Sequence, residues 1–128
     1  MPNAGYRPQG PQRQINRIMS FDDVKTQAQL VAVPDDGVYK LEVEFAALRS
    51  DGNFSEKRPS AWYTRTARVE NTNGNLRVLR PEADLTSQDD LGWKVFLDPF
   101  SENVMISVQG SMGTTVSWTV TSRLYVQL

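Results

Sequence analysis

Polar and apolar side chains alternate with a repeat of two residues over several short stretches of the chain. The clearest stretch runs from Val38 to Arg49. Its apolar positions are Tyr39, Leu41, Val43, Phe45 and Ala47, and the positions between them are Lys40, Glu42, Glu44 and Ala46. A period of two is that of a strand that buries one face. The stretch therefore predicts a strand of an antiparallel sheet whose other face is in water.

The last part of the chain, residues 103–128, carries the same pattern twice. Its apolar positions are Val104, Ile106, Val108, Val116, Trp118, Val120, Leu124 and Val126, with Ser122 as a polar member of the same series. β-Branched and aromatic side chains suit a pleated sheet. The glycine-containing segment from Gly110 to Thr114 separates the two runs. We therefore predict a long hairpin with one face built around Trp118.

Shorter alternating runs predict strands over residues 61–70, 76–79 and 91–97. Pro34 to Gly37 has the composition of a tight turn, and the Asn-Gly pair within Asn71 to Asn75 favours a two-residue hairpin connection. Both faces of residues 61–70 carry an aromatic residue and an arginine, so the pattern leaves the buried face open. Residues 20–29 fit either a short helix capped by Ser20 or a strand.

Six to eight short strands separated by turns, with no convincing long helix, are typical of all-β proteins. We predict an antiparallel β-sandwich, jelly-roll-like, over residues 20–128. Its core is expected to contain the three tryptophans, Trp62, Trp93 and Trp118, because facing sheets leave room for large rings between them. Gly110 is expected to serve the turn before the last strand.

Residues 1–19 differ in composition from the rest of the chain. Their first 18 residues contain three prolines, two glycines and three arginines, with no acidic residue. Proline at this density disfavours both helix and central strand, so an extended arm is expected. Three interpretations stay open: a frayed tail, a docking arm, and a nucleic-acid-binding arm.

As a docking arm, this segment would attach the domain to a neighbouring protein. Apolar side chains would anchor it and arginines would meet an acidic groove. The candidate partner-binding residues are Tyr6, Arg7, Arg13, Ile15, Arg17 and Ile18.

The charge and composition of the chain narrow the classes of function. The chain has 128 residues, 14 basic and 15 acidic, with no cysteine and no histidine. This near balance argues against a nucleic-acid-binding surface over the whole domain. Because the chain has neither cysteine nor histidine, zinc sites built from these residues and catalytic triads that use histidine are excluded. No apolar run approaches the roughly 18 residues of a membrane span, and the start lacks the apolar stretch of a secretory signal.

No motif in the sequence indicates catalysis, a metal or a cofactor. The acidic pairs Asp22-Asp23, Asp35-Asp36 and Asp89-Asp90 lie in predicted turns, where carboxylates accept backbone hydrogen bonds. Neighbours on an extended segment point to opposite sides, so an adjacent pair does not make an acid–base dyad. Tyr39, Trp62 and Tyr63 would form a sugar-stacking platform if exposed, although aromatic residues on alternating strands are usually buried.

Four segments resemble, in order and spacing, small β-domains of tailed-bacteriophage and prophage structural proteins. They are VAVPDDGVYKLEVEFAALRSDG, AWYTRTARVENTNGNLRV, DDLGWKVFL and NVMISVQGSMGTTVSWTVTSRLYV. The resemblance covers roughly residues 30–126. It implies a virion component that is not an enzyme, needs no cofactor and assembles into oligomers. The matching positions Trp93, Val108, Gly110 and Trp118 would be core and turn residues.

A β-domain that follows a short N-terminal arm favours a decoration, cement or fibre-type subunit, which the arm would attach to a capsid or tail protein. We expect a virion location after synthesis in the cytoplasm of the host bacterium, and a homo-oligomer, by analogy a trimer. No membrane or nucleic-acid partner is expected. One alternative is a tail-associated receptor-binding module that recognises host-surface glycan through Trp62, Tyr63, Phe54 or Phe100. Another is an assembly factor absent from the mature particle.

Overall fold

A computed structural model describes residues 12–52, 57–79 and 85–127, which form antiparallel strands connected by turns. The strands in this part of the chain are β1 (Gln12–Phe21), β2 (Thr26–Ala32), β3 (Gly37–Arg49), β4 (Ser60–Thr72), β5 (Asn75–Leu79), β6 (Leu85–Gln88), β7 (Lys94–Phe100), β8 (Asn103–Gln109) and β9 (Thr115–Gln127). The prediction of an all-β protein with antiparallel sheets is confirmed. The ambiguous residues 20–29 hold the end of β1, a turn and the beginning of β2, and no helix.

The strands form two sheets that pack face to face. The larger sheet has the order β1-β9-β3-β4-β5, with β6 also pairing with β4, and the smaller has the order β2-β8-β7. In the larger sheet β3 pairs with both β4 and β9 over nearly its whole length. The predicted inward series of β3 is confirmed, since Tyr39, Leu41, Val43, Phe45 and Ala47 are all buried.

The core is centred on two tryptophans contributed by different parts of the chain. Trp93, just before β7, and Trp118, on β9, are both fully buried, and their ring centroids lie 6.0 Å apart. Tyr63 of β4 stacks on Trp118 at 6.1 Å. Since large apolar side chains gain most from leaving water, this cluster holds the two sheets together.

The predicted C-terminal hairpin is wrong. β8 pairs with β2 and β7 in the small sheet, whereas β9 pairs with β1 and β3 in the large sheet. Their apolar faces meet across the core instead of sharing one face of a ladder. The connection from Gly110 to Thr114 therefore crosses from one sheet to the other. A period of two is satisfied equally well by either arrangement, because it specifies which face is buried and not what covers it.

Gly110 lies where this crossing passes close to β1. A Cβ atom added to Gly110 would stand 3.2 Å from the Asp22 carbonyl oxygen and from the Ser20 hydroxyl oxygen. The loop is tied to the same region, because the Gly113 N–H donates to the Asp22 carboxylate at 2.9 Å. Glycine is thus required here for close approach of two chain segments.

Residues 12–19, which we expected in an arm outside the domain, form most of β1. This strand pairs with β9 from Gln12 to Phe21 at the edge of the large sheet. The physical reason is that β9 offers a long edge whose N–H and C=O groups β1 satisfies. Residues 1–11 lie outside the described part of the chain.

Both predicted turns lie where the sequence places them, although in the Pro34 to Gly37 turn the positive φ belongs to Asp36, at 55°, and Gly37 begins β3. Asn73 and Gly74 both have positive φ, 52° and 83°, as a type I′ hairpin between β4 and β5 requires. The neighbouring Pro34 to Gly37 turn is fastened to it, since the Asp35 carboxylate accepts the Gly74 N–H at 3.1 Å. The sequence signal was local in both turns, which explains why it sufficed.

Candidate functional site

Among the described strands, none packs on the outer face of the large sheet, and Trp62 of β4 lies on this face. Because β4 alternates, Tyr63 points inward while Trp62 points outward. Trp62 is 59% exposed, whereas Trp93 and Trp118 are buried. The expectation that Trp62 belongs to the core is therefore wrong.

Small neighbours leave the indole of Trp62 open on both sides. Ala46 of β3 and Ser87 of β6 are its cross-strand partners. A groove of about 250 Å³ lies beside the indole, between β4 and the short strand β6. Its lining consists of Trp62, Thr64, Leu85, Thr86 and Ser87. We call this the Trp62 groove.

The Trp62 groove combines an apolar surface with neutral hydroxyl groups. Leu85 is 74% exposed and extends the apolar surface of the indole. Thr64 and Ser87 lie on the same face of the sheet as Trp62, and each provides a hydroxyl that donates and accepts hydrogen bonds. Thr86 pairs with Tyr63, so its side chain lies on the opposite face. Among the described residues, no charged side chain lines the groove. The groove is therefore suited to a ligand with an apolar face and a hydroxylated rim.

The structure separates the aromatic residues considered for sugar binding. Tyr39 and Tyr63 are buried, at 6% and 2% exposure, so the three-ring platform with Trp62 does not form. Phe100 is 52% exposed but lies at the end of β7, in the other sheet. Phe54 is outside the described residues. Trp62 alone among the described candidates lies beside a groove on the outer face of the large sheet.

The contacts of Tyr63 indicate a structural role. Its hydroxyl donates to Gln88 Oε1 at 2.5 Å, and its ring lies edge-on to Phe45 with the centroids 6.2 Å apart. Burial raises the pKa of Tyr63 to about 12, since the charged phenolate would lose its hydration. This tyrosine therefore joins β4, β6 and the core.

The described arm residues fall on two faces of β1. Arg13, Ile15 and Arg17 pair with Arg123, Thr121 and Thr119, which places them on the outer face. Ile18 pairs with the buried Trp118 and packs against the core. Tyr6 and Arg7 are outside the described residues. A partner-binding role for these positions stays a prediction.

The acidic pairs serve the turns in which they lie. Asp89 accepts the backbone N–H of Ser60 at 3.0 Å, which joins the end of β6 to the start of β4. Asp90 accepts from the Gly92 N–H and from the Ser111 hydroxyl, each at 2.8 Å. In the part of the chain that the structure describes, no three metal-ligating side chains gather into a possible metal site.

Sequence reasoning missed β6, which forms one wall of the Trp62 groove. The sequence pattern predicted no strand between residues 79 and 91, and β6 occupies four of these positions. Four mostly polar residues carry little periodic signal. Only the pairing of Trp62 and Thr64 with Ser87 and Leu85 reveals the strand.

The residues described contain no helix that is long and apolar enough to cross a membrane. No protein-family model and no curated protein matches the chain.

The fold occurs within phage tailspike proteins. The chain superimposes with a TM-score of 0.58 on the tailspike of Acinetobacter baumannii phage AM24, at 9% identity over 91% of this chain and 26% of the tailspike. It matches the tailspike of Acinetobacter phage vB_ApiP_P1 with a TM-score of 0.51, at 13% identity over 91% of this chain and 22% of that chain. The chain thus spans about a quarter of the length of these tailspikes. At such identities the likeness concerns the fold.

These comparisons correct the prediction that the protein is not an enzyme. A third tailspike, from Acinetobacter baumannii bacteriophage Fri1, is described as a capsular polysaccharide depolymerase; it matches at 10% identity over 90% of this chain and 19% of that chain, with a TM-score of 0.40. The sequence-based prediction took phage proteins with this kind of domain to be purely structural, and the likeness to tailspikes removes that basis.

Proposed function

We propose that the protein is a tail-associated receptor-binding module of a phage that binds bacterial surface glycan in the Trp62 groove. The observation that carries the proposal is the exposed indole of Trp62 beside two hydroxyl side chains, Thr64 and Ser87. Two tailspikes containing the same fold support the assignment to a phage tail. This function corresponds to the receptor-binding alternative of the sequence analysis. Attachment as a capsid decoration subunit and trimer formation stay predictions.

The chemistry of a sugar ring matches the groove. One face of a pyranose presents C–H groups, which leave water when they pack on an indole. The hydroxyl groups at the ring edge then meet Thr64 and Ser87. Trp62 leaves 59% of its accessible surface in water, and tryptophan is enriched among residues that dominate binding, so its exposed position favours a binding role.

The test compares three variants of the full chain on an array of bacterial capsular and O-chain glycans. Trp62→Ala should reduce binding at least tenfold, and Trp62→Phe should retain part of it because a flat ring remains. Phe100→Ala is the matched control, since Phe100 is similarly exposed but lies in the small sheet. Circular dichroism should show all three variants folded. Equal binding by wild type and Trp62→Ala would contradict the proposal, as would binding of no glycan on the array.

A further inference from the structure

A second groove lies at the opposite edge of the large sheet from the Trp62 groove. It runs between β1, the edge strand of the large sheet, and β2, the edge strand of the small sheet. Its volume is about 520 Å³, which is within the usual range of ligand sites. The two strands face each other because each ends its own sheet.

Carboxamide side chains dominate this groove. Its lining includes Gln14 and Asn16 of β1 with Gln27 and Gln29 of β2. Gln14 and Asn16 pair with Ser122 and Val120, so they occupy the face of β1 turned toward the small sheet. The remaining lining residues are Ile15, Ala28 and Leu30, so none of the lining residues that the structure describes carries a charge. We call this the amide groove.

The floor of the amide groove is fixed by a buried network. Gln29 is 3% exposed and donates from Nε2 to the Gln14 carbonyl at 3.2 Å and to the Val120 carbonyl at 2.9 Å. Its Oε1 accepts from the Ser122 hydroxyl at 2.6 Å. The side-chain amide of Gln29 thus joins β2 to both β1 and β9.

The backbone of β2 is irregular at the groove. Its register against β8 shifts between Gln27 and Gln29, so that Ala28 is the extra residue. A bulge of this kind redirects neighbouring side chains and occurs often beside binding sites. Gln27, before the bulge, is exposed, and Gln29, after it, is buried, although both residues line the groove.

We propose that the amide groove binds a neutral saccharide. A carboxamide donates and accepts at the same time, which matches the hydroxyl groups of a sugar. An ionised ligand would find no opposite charge among the lining residues. This site is independent of the Trp62 groove, since the two share no residue and lie at opposite edges of the large sheet.

The experiment is a nitrogen-15 NMR titration of the full chain that follows the side-chain amide signals. The probes are glucose, galactose, rhamnose and N-acetylglucosamine, with glucuronate as the charged comparison. At least one neutral sugar should shift the signals of Gln14 and Asn16 saturably. Gln14→Glu and Asn16→Asp should each weaken that affinity tenfold or more. Both changes keep the side-chain shape and the Gln14 carbonyl that Gln29 uses.

Gln12→Glu is the matched control, because Gln12 lies on the same face of β1 but does not line the groove. It should leave the affinity within twofold of wild type. The proposal is overturned if no neutral sugar shifts these amides, if glucuronate binds equally well, or if all three variants bind alike. Shifts confined to the Trp62 indole would overturn this proposal and support the receptor-binding one, and shifts confined to the amide groove would do the reverse.

Discussion

The hydrogen bond between Trp118 and Ser20 offers the sharpest test of how β1 is held in the domain. Trp118 Nε1 donates to the Ser20 hydroxyl at 2.8 Å, and both residues are fully buried. Ser20→Ala removes the acceptor and leaves the indole N–H without a partner in a dry core. Such an orphaned donor costs about 1–3 kcal/mol, whereas the loss of one oxygen atom makes only a small void.

A loss of this size is easily measured. A domain of this length has a free energy of unfolding of about 5–15 kcal/mol, so Ser20→Ala removes a substantial fraction of it. Urea unfolding with a slope of about 2 kcal/mol per molar would move the midpoint by roughly 0.5–1.5 M. Ser117→Ala is the control, because Ser117 is exposed on the same sheet. It should change the free energy by no more than about 0.5 kcal/mol.

Trp118→Phe completes a double-mutant cycle with Ser20→Ala. If the hydrogen bond carries the effect, Ser20→Ala should cost less in the Trp118→Phe background than in the wild type, with a coupling energy of about 1 kcal/mol. Equal costs in both backgrounds would refute the reasoning. So would a Ser20→Ala variant that unfolds together with the wild type.

Three further predictions follow from buried contacts. Gln29→Leu should lower the free energy of unfolding by about 1–3 kcal/mol, because the Ser122 hydroxyl and the Val120 carbonyl lose their hydrogen-bond partner. In urea unfolding, the double variant with Ser122→Ala should recover part of this loss. Gly110→Ala should cost about 1–3 kcal/mol by thermal or urea unfolding, because the new methyl group meets two oxygen atoms at 3.2 Å; an unchanged midpoint would contradict the close approach. Tyr63 should titrate near pH 12 by ultraviolet absorbance of the phenolate. Because its pKa is raised from 10.0, its stabilising contribution is complete below pH 10 and is lost as the pH rises toward 12; a phenolate midpoint at 10 would contradict this.

The elements that the sequence predicted well have local causes. β3 alternates without interruption, and the turn between β4 and β5 contains an Asn-Gly pair that adopts positive φ at both positions. Each depends on side chains within a few residues of one another. No distant contact was needed to predict them.

β1 was missed because its support comes from elsewhere in the chain. Its inward positions Gln12, Gln14 and Asn16 are polar and exposed, so the strand shows no apolar face over its first half. What makes it a strand is the ladder with β9, whose sequence lies about a hundred residues away. Composition therefore predicted an arm where the fold has an edge strand.

The exposure of Trp62 likewise depends on pairing with a distant strand, which the local sequence pattern does not specify. The pattern of β4 is ambiguous, because Trp62 and Tyr63 are adjacent aromatic residues. The register with β3 decides between them, since Tyr63 lies opposite the buried Phe45 and Trp62 lies opposite the exposed Ala46. A slip of one residue would exchange the two rings.

The crossing between β8 and β9 connects these observations to function. Had these strands formed a hairpin, β9 would have used one edge for β8 and could not have paired with both β1 and β3. Because β9 lies between them instead, it holds β1 at one edge of the large sheet, and the small sheet ends at β2 beside it. The amide groove exists only because these two edges meet there. The crossing that replaces the predicted hairpin is thus the feature that places the amide groove at the β1 edge of the large sheet.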